Sequence, residues 1–290
     1  MEDTESKDSK MRILETKIIE DAVCELFIKA NSVLPCDLER AIENARDNEE
    51  NLLAHKALDV IADNLKEAKK HDIPICQDTG MAIVMIELGY EVHINGDLEE
   101  AVNEGVKRSY VNGKLRLSVV SDPLFDRKNT ESNTPAIIYT KIVSGEKIKI
   151  TALPKGFGSE NKSAMKMFNP SATPDDIVDF VTETVSRAGS MPCPPLVVGV
   201  GIGGSFDYAA FLSKKALARD ISEKNPDPRY ADLEEKMLKK INLLGIGVQG
   251  FGGKTTALAV NIEQYPTHIA GLPVAVNISC HVTRHASVEI

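Results

Sequence analysis

Five cysteines stand at positions 24, 36, 76, 193 and 280 of a 290-residue chain, and their neighbours divide them into two kinds. Cys24 lies inside a helix-like run and Cys36 carries no comparable cue, so both read as small buried hydrophobes, the usual fate of a free thiol. Cys76 sits in Pro74-Ile75-Cys76-Gln77-Asp78-Thr79-Gly80, Cys193 in Met191-Pro192-Cys193-Pro194-Pro195, and Cys280 in Ile278-Ser279-Cys280-His281. Proline beside or near the first two disfavours regular helix, which places these thiols in turns or at strand ends. Separations of 117 and 87 residues are far too long for a local metal knuckle. By spacing alone, three unrelated core thiols are an equal alternative. If the three converge, their softness favours an iron-sulfur cluster, and three thiolates on a 4Fe-4S cube leave one iron without a protein ligand. Such an iron is a Lewis acid, able to hold a hydroxyl and a carboxylate of a substrate without transferring an electron. Zinc through Cys280, His281 and His285 ranks lower, because structural zinc asks for a fourth ligand and a second close pair.

Composition narrows the classes further. Hydrophobic residues at 42% and charged residues at 27% are globular proportions, which excludes disorder, collagen and coiled coil as the main state. The length suits one large domain or two intimate lobes. A net charge of -9 repels a phosphate backbone and argues against nucleic acid as a partner. No apolar run approaches the ~20 residues of a membrane span, and the opening MEDTESKDSK reads as a flexible charged tail without the apolar core of a signal peptide. A cytoplasmic location is expected, where a disulfide framework is not.

The elements that must position the thiols follow from periodicity. Between Arg12 and Ala30, apolar residues at steps of three and four predict one amphipathic helix, and residues 37 to 47 and 49 to 69 predict two more. From Pro74 the texture turns to β-branched runs: 82 to 89, then 136 to 143 and 147 to 153, the last two reading as a hairpin through Ser144-Gly145-Glu146. Thr173, Pro174, Asp175 and Asp176 open a helix that Gly189 closes. Then come Leu196-Val197-Val198-Gly199-Val200-Gly201-Ile202-Gly203-Gly204, helices near 206 to 219 and 228 to 241, and apolar runs at 243 to 248, 257 to 262 and 274 to 278. The expected fold is mixed α/β (α+β). A helical lobe over about 11–72 is expected to pack on a mixed-sheet lobe, about 73–290, that carries the cysteine loops.

Two motifs resemble nucleotide sites. The glycines from Gly199 to Gly204 fit G-x-G-x-x-G with Asp220 downstream, but the βαβ setting is not evident, and close packing would equally ask for glycine. Gly253-Lys254-Thr255 resembles the end of a P-loop, yet Val248 stands where its leading glycine belongs. A nucleotide-dependent oxidoreductase and a noncatalytic iron-sulfur scaffold are therefore the rival readings from other classes.

Cys76-Gln77-Asp78-Thr79-Gly80, Leu115-Arg116-Leu117-Ser118 leading into Asp122-Pro123, Pro154-Lys155-Gly156-Phe157-Gly158-Ser159-Glu160-Asn161, and Cys193 followed by the glycine run together resemble the iron-sulfur (class I) fumarate hydratases and L-tartrate dehydratases, specifically their α subunit or N-terminal half. The likeness continues through Gly252-Gly253-Lys254-Thr255-Thr256 and His268 to Cys280. It implies a hydro-lyase interconverting fumarate and (S)-malate, with L(+)-tartrate dehydration as the alternative. It also implies a 4Fe-4S cluster on Cys76, Cys193 and Cys280 with one iron not ligated by protein, and a substrate pocket lined by Gln77, Asp78, Arg116, Gly158 and His268. Phe157 stands where many relatives carry a further glycine. Because the long, single-chain members continue into a further domain, a β subunit in an α2β2 heteromer is expected to supply additional basic groups and the proposed base. On chemical grounds Arg116 suits a bidentate grip on a carboxylate, while Asp78 and His268 suit an acid-base or orienting pair. An anionic substrate approaching an acidic surface needs such locally concentrated positive charge.

Overall fold

The structure, a computed structural model, describes residues 11–290; the expected flexible tail at 1–10 lies outside the described residues. In chain order the elements are β1 (Arg12–Glu15), α1 (Thr16–Ser32), α2 (Cys36–Asn48), α3 (Leu52–His71), β2 (Met81–Gly89), β3 (Val92–Asn95), α4 (Leu98–Asn112), β4 (Ile137–Val143) and β5 (Ile148–Lys155). They continue as α5 (Phe157–Glu160), β6 (Ala164–Phe168), α6 (Pro174–Ala188), β7 (Leu196–Gly203), α7 (Phe206–Ala216), α8 (Pro228–Asn242), β8 (Ala257–Tyr265), β9 (Leu272–Ser279) and β10 (Ala286–Glu289). This is the expected α+β class. The described chain divides into two compact units that interleave in sequence: one holds residues 11–30, Thr79–Pro154 and His285–Ile290, the other Asn31–Asp78 and Lys155–Arg284. The helical first quarter therefore serves both units.

In the first unit a four-stranded sheet runs β10-β5-β2-β4, beside a two-stranded parallel pair of β1 and β3. Two local expectations change here. Residues 12 to 15 are a strand, because Leu14 buries its side chain while Arg12 to Glu15 pair with Val92 to Asn95; the helix starts only at Thr16. The stretch through Ser144-Gly145-Glu146 is not a hairpin, since β2 lies between β4 and β5 and pairs in parallel with β4. The loop closes over the end of β2, with Gly89 N donating to Lys147 O at 2.8 Å and Tyr90 N to Val143 O at 2.9 Å. A side chain at Gly89 would stand 2.3 Å from Gly145 O, so glycine is what lets the loop approach. Helix α4 adds to the helices that periodicity predicts. Asp97 caps it by accepting from Glu100 N at 3.0 Å, and it buries Val102, Val106 and Tyr110 in the unit's core.

The second unit is built on the sheet β6-β9-β7-β8. Every residue of β7 is buried, as a central strand covered on both faces requires. Helix α6 is opened as its sequence predicts, by a capping box in which Thr173 Oγ1 accepts from Asp176 N and Asp176 Oδ2 accepts from Thr173 N at 2.7 Å. Gly199 and Gly201 lie within β7 rather than in a loop, and a Cβ on either would stand 2.1 Å from a carbonyl of α7, Ser213 O and Ala209 O respectively. The glycine run is thus a packing device that brings α7 onto the sheet.

Candidate functional site

Three short segments of the second unit carry Cys76, Cys193 and Cys280. Cys76 lies between α3 and β2, and the residue before it is held at both ends: Ile75 N donates to Asn31 O, and Asn64 Nδ2 donates to Ile75 O, each at 2.9 Å. Cys193 follows α6 in a turn where its N–H donates to Ser190 O at 3.1 Å, with a left-handed φ of 56° that is uncommon outside glycine and concentrated at functional sites. Cys280 stands one residue beyond β9, its carbonyl accepting from Thr283 Oγ1 at 2.7 Å. The last two segments are tied together. His281 N donates to Cys193 O at 3.3 Å, His281 Nδ1 lies 3.0 Å from the same oxygen, and Gln249 Nε2 donates to Pro194 O at 2.7 Å.

The three thiols share one electrostatic environment. Burial pushes the Cys193 thiol up, and negative charge on Cys280 and Cys76 pushes it further. Burial also pushes Cys280 up, against the pull of Arg284 and Lys155, with Cys76 adding to the rise. All three are free of disulfides; Cys193 is exposed and the other two half-buried. Among the described residues no three His, Cys, Asp or Glu side chains close on one point as a single metal ion needs. The zinc reading gains no support from this, and His281 Nδ1 already faces Cys193 O at 3.0 Å and Gln249 Nε2 at 3.2 Å.

A buried charged cluster of Lys155, Glu160 and Lys214 reaches the strand end that carries Cys280, through the Ile278 carbonyl. Lys155 is 2% exposed, and its Nζ donates to Ser159 Oγ at 2.7 Å and Ile278 O at 2.9 Å while standing 3.3 Å from Glu160. Burial holds its pKa down at about 8 despite that carboxylate. Glu160 in turn pairs with Lys214 and accepts from Asn277 Nδ2 at 3.1 Å. Burial would raise the Glu160 carboxyl, but the two ammonium groups outweigh it and hold it below its ordinary value. The available sequence signal was a lysine ending an apolar strand, in a motif that also supplies its acidic partner.

The other sequence-predicted residues are placed as follows. Gln77 is exposed and its Oε1 lies 3.4 Å from Cys76 Sγ. Asp78 Oδ2 accepts from Phe157 N at 3.0 Å, and its backbone carbonyl accepts from Arg284 Nη2. A Cβ on Gly158 would meet nothing within 4 Å, so open space lies over it. His268, exposed between β8 and β9, accepts at Nδ1 from Ala270 N at 3.1 Å. Asp78 and His268 are thus each fixed by a bond of their own to a backbone N–H. Arg116 belongs to the first unit. Its peptide is pinned by Thr79 Oγ1, which accepts from Arg116 N at 2.9 Å and donates to Arg116 O at 3.2 Å, while the residue is exposed.

A family profile described as Fumarate hydratase (Fumerase) matches residues 20–289. The chain belongs to the fumarate hydratase family. A member from Methanocaldococcus jannaschii, provisionally named L(+)-tartrate dehydratase subunit alpha, is 42% identical over 273 residues, covering 92% of this chain and 96% of the relative. The L(+)-tartrate dehydratase subunit alpha of Escherichia coli K12 is 30% identical over 259 residues, covering 89% and 86%, and that of Shigella sonnei matches to the same extent. As a fumarate hydratase family chain it is a hydro-lyase, and its glycine run is read as helix packing, which removes the main support for a nucleotide-dependent oxidoreductase. Among the described residues no helix is long and apolar enough to cross a membrane.

Proposed function

We propose that the chain is the α subunit of an iron-sulfur hydro-lyase that reversibly hydrates fumarate to (S)-malate in the cytoplasm, together with a β subunit in an α2β2 assembly. One observation carries the reading: Cys76, Cys193 and Cys280 are disulfide-free thiols on three separate turns, within electrostatic reach of one another, in a chain that the hydratase family matches over residues 20–289. The donor set fits a 4Fe-4S cube. A cube takes each thiolate at a different corner, so its ligands need not close on one point as those of a single ion do. When bound, it supplies a Lewis-acidic iron for substrate oxygen atoms.

The chain's own residues then bind, orient and move the proton. Arg116 offers a planar guanidinium to a substrate carboxylate. Gln77, whose Oε1 lies 3.4 Å from Cys76 Sγ, and Gly158, with open space over it, are assigned to the substrate pocket. Asp78, fixed by Phe157 N, and His268, fixed by Ala270 N, are the pair that orients substrate and handles the proton at its carbon. The partner subunit contributes further basic groups and the remaining base.

L(+)-tartrate dehydration is the second reading, favoured by the names of the relatives. The test is anaerobic reconstitution of the full chain with its β subunit, ferrous iron and sulfide. Protein-bound sulfide and fumarate–malate turnover that is lost in air are expected. A chain without bound sulfide removes the cluster reading, and tartrate turnover well above malate turnover moves the assignment to the second substrate.

A further inference from the structure

Arg284 is 3% exposed, yet its guanidinium has a single hydrogen-bond partner among the described residues. Nη2 donates to the backbone carbonyl of Asp78, while Nε and Nη1 are enclosed and unpartnered. A carbonyl dipole does not neutralise a buried cation, and an unpaired buried charge is strongly disfavoured unless a counter-charge arrives. The residue's position in the chain shows where that counter-charge would be. Arg284 follows Cys280 by four residues, and the carbonyl it grips lies two residues past Cys76, so it bridges two of the three cysteine segments. Among the described residues no carboxylate lies within ion-pair distance of its guanidinium.

We infer that Arg284 is a positioning residue for the anionic group that Cys76, Cys193 and Cys280 hold, its enclosed N–H groups finding their partner only when that group is present. The inference rests on the iron-sulfur reading. Three thiolates on a doubly positive cube sum to a single negative charge, which matches a fixed cation held at the joint between two ligand segments.

The test uses the full chain, reconstituted anaerobically with ferrous iron and sulfide, as wild type, Arg284→Gln and Arg284→Lys. Transfer of iron to a coloured chelator gives the release rate, and thermal unfolding of the iron-free proteins gives the structural baseline. Arg284→Gln should release iron about 10- to 100-fold faster, the usual effect of losing a group that supports metal ligands, and Arg284→Lys should fall between it and wild type. Iron-free Arg284→Gln should unfold at no lower temperature than iron-free wild type, because the charge removed was unpaired. Equal release rates from wild type and Arg284→Gln overturn the inference, as does a loss of stability in Arg284→Gln that is as large without iron as with it. A wild-type chain that binds neither iron nor sulfide removes the cluster reading along with it, whereas a loaded wild type beside an unaffected Arg284→Gln removes the inference alone.

Discussion

Replacing Lys155 by methionine should flatten a pH dependence of stability that the buried ammonium creates. Lys155 is 2% exposed and meets Glu160 at 3.3 Å, but that carboxylate is shared with Lys214, so burial prevails and its pKa sits at about 8 against an ordinary 10.5. Between those two values the unfolded chain binds a proton that the folded chain has released, so stability rises with pH across the window. Below about 8 both states carry the proton and the full penalty applies; above 10.5 neither does and the penalty is gone. A displacement of roughly two and a half pH units at ~1.36 kcal/mol each gives about 3 kcal/mol. Methionine has no proton to lose, while the remaining groups titrate in both proteins. Urea unfolding of the iron-free chains at the two ends of the window should therefore show wild type gaining about 3 kcal/mol relative to Lys155→Met. Parallel profiles would refute the claim that this ammonium is held charged against its burial, and a relative fall would mean that Glu160 dominates it.

Three further outcomes are expected. In Gly201→Ala the new methyl would stand 2.1 Å from Ala209 O, a backbone atom of α7 that cannot swing away, so a loss of about 1 to 3 kcal/mol is expected by denaturant unfolding; Gly158→Ala, with nothing within 4 Å, should unfold as wild type does. Thr173→Ala removes the cap of α6 and should cost about 1 kcal/mol, read as a fall of roughly 2 °C or more in Tm. Asp78→Asn and His268→Ala should each lower turnover of the reconstituted enzyme by at least ~10²-fold without loss of bound iron, and near-normal rates with full iron would remove their acid-base role.

Much of the local structure is legible in the sequence itself. Helix α6 announced itself through Thr173, Pro174, Asp176 and Gly189, because a cap is a bond between residues three apart and needs no help from the rest of the chain. Strands β2, β7, β8 and β9 were equally plain, being β-branched runs long enough to be read alone. The four residues of β1 were absorbed into the periodicity of α1, since a strand that short is created by its partner β3 rather than by its own pattern. The expected hairpin failed for a related reason: the turn residues Ser144-Gly145-Glu146 say where the chain bends, not which strand lies beside it, and β2 occupies the place between.

For the site, the motifs around Cys76, Cys193 and Cys280 singled them out; proline by itself does not, since Pro35 precedes Cys36, and that thiol, expected to be buried, is exposed at the start of α2. Whether they share a field was beyond reach, since spacings of 117 and 87 residues are silent about distance and only folding brings Cys193 O onto His281 N. The glycines of β7 show the same division. Their pattern fits a phosphate loop or a packing surface equally well, and the carbonyls of α7 at 2.1 Å settle it for packing. Arg284 belongs wholly to the tertiary level, and Lys155 offered only its place in a motif with Glu160: burial, which strips away water and leaves their charge to whatever else is enclosed, is what gives each a role.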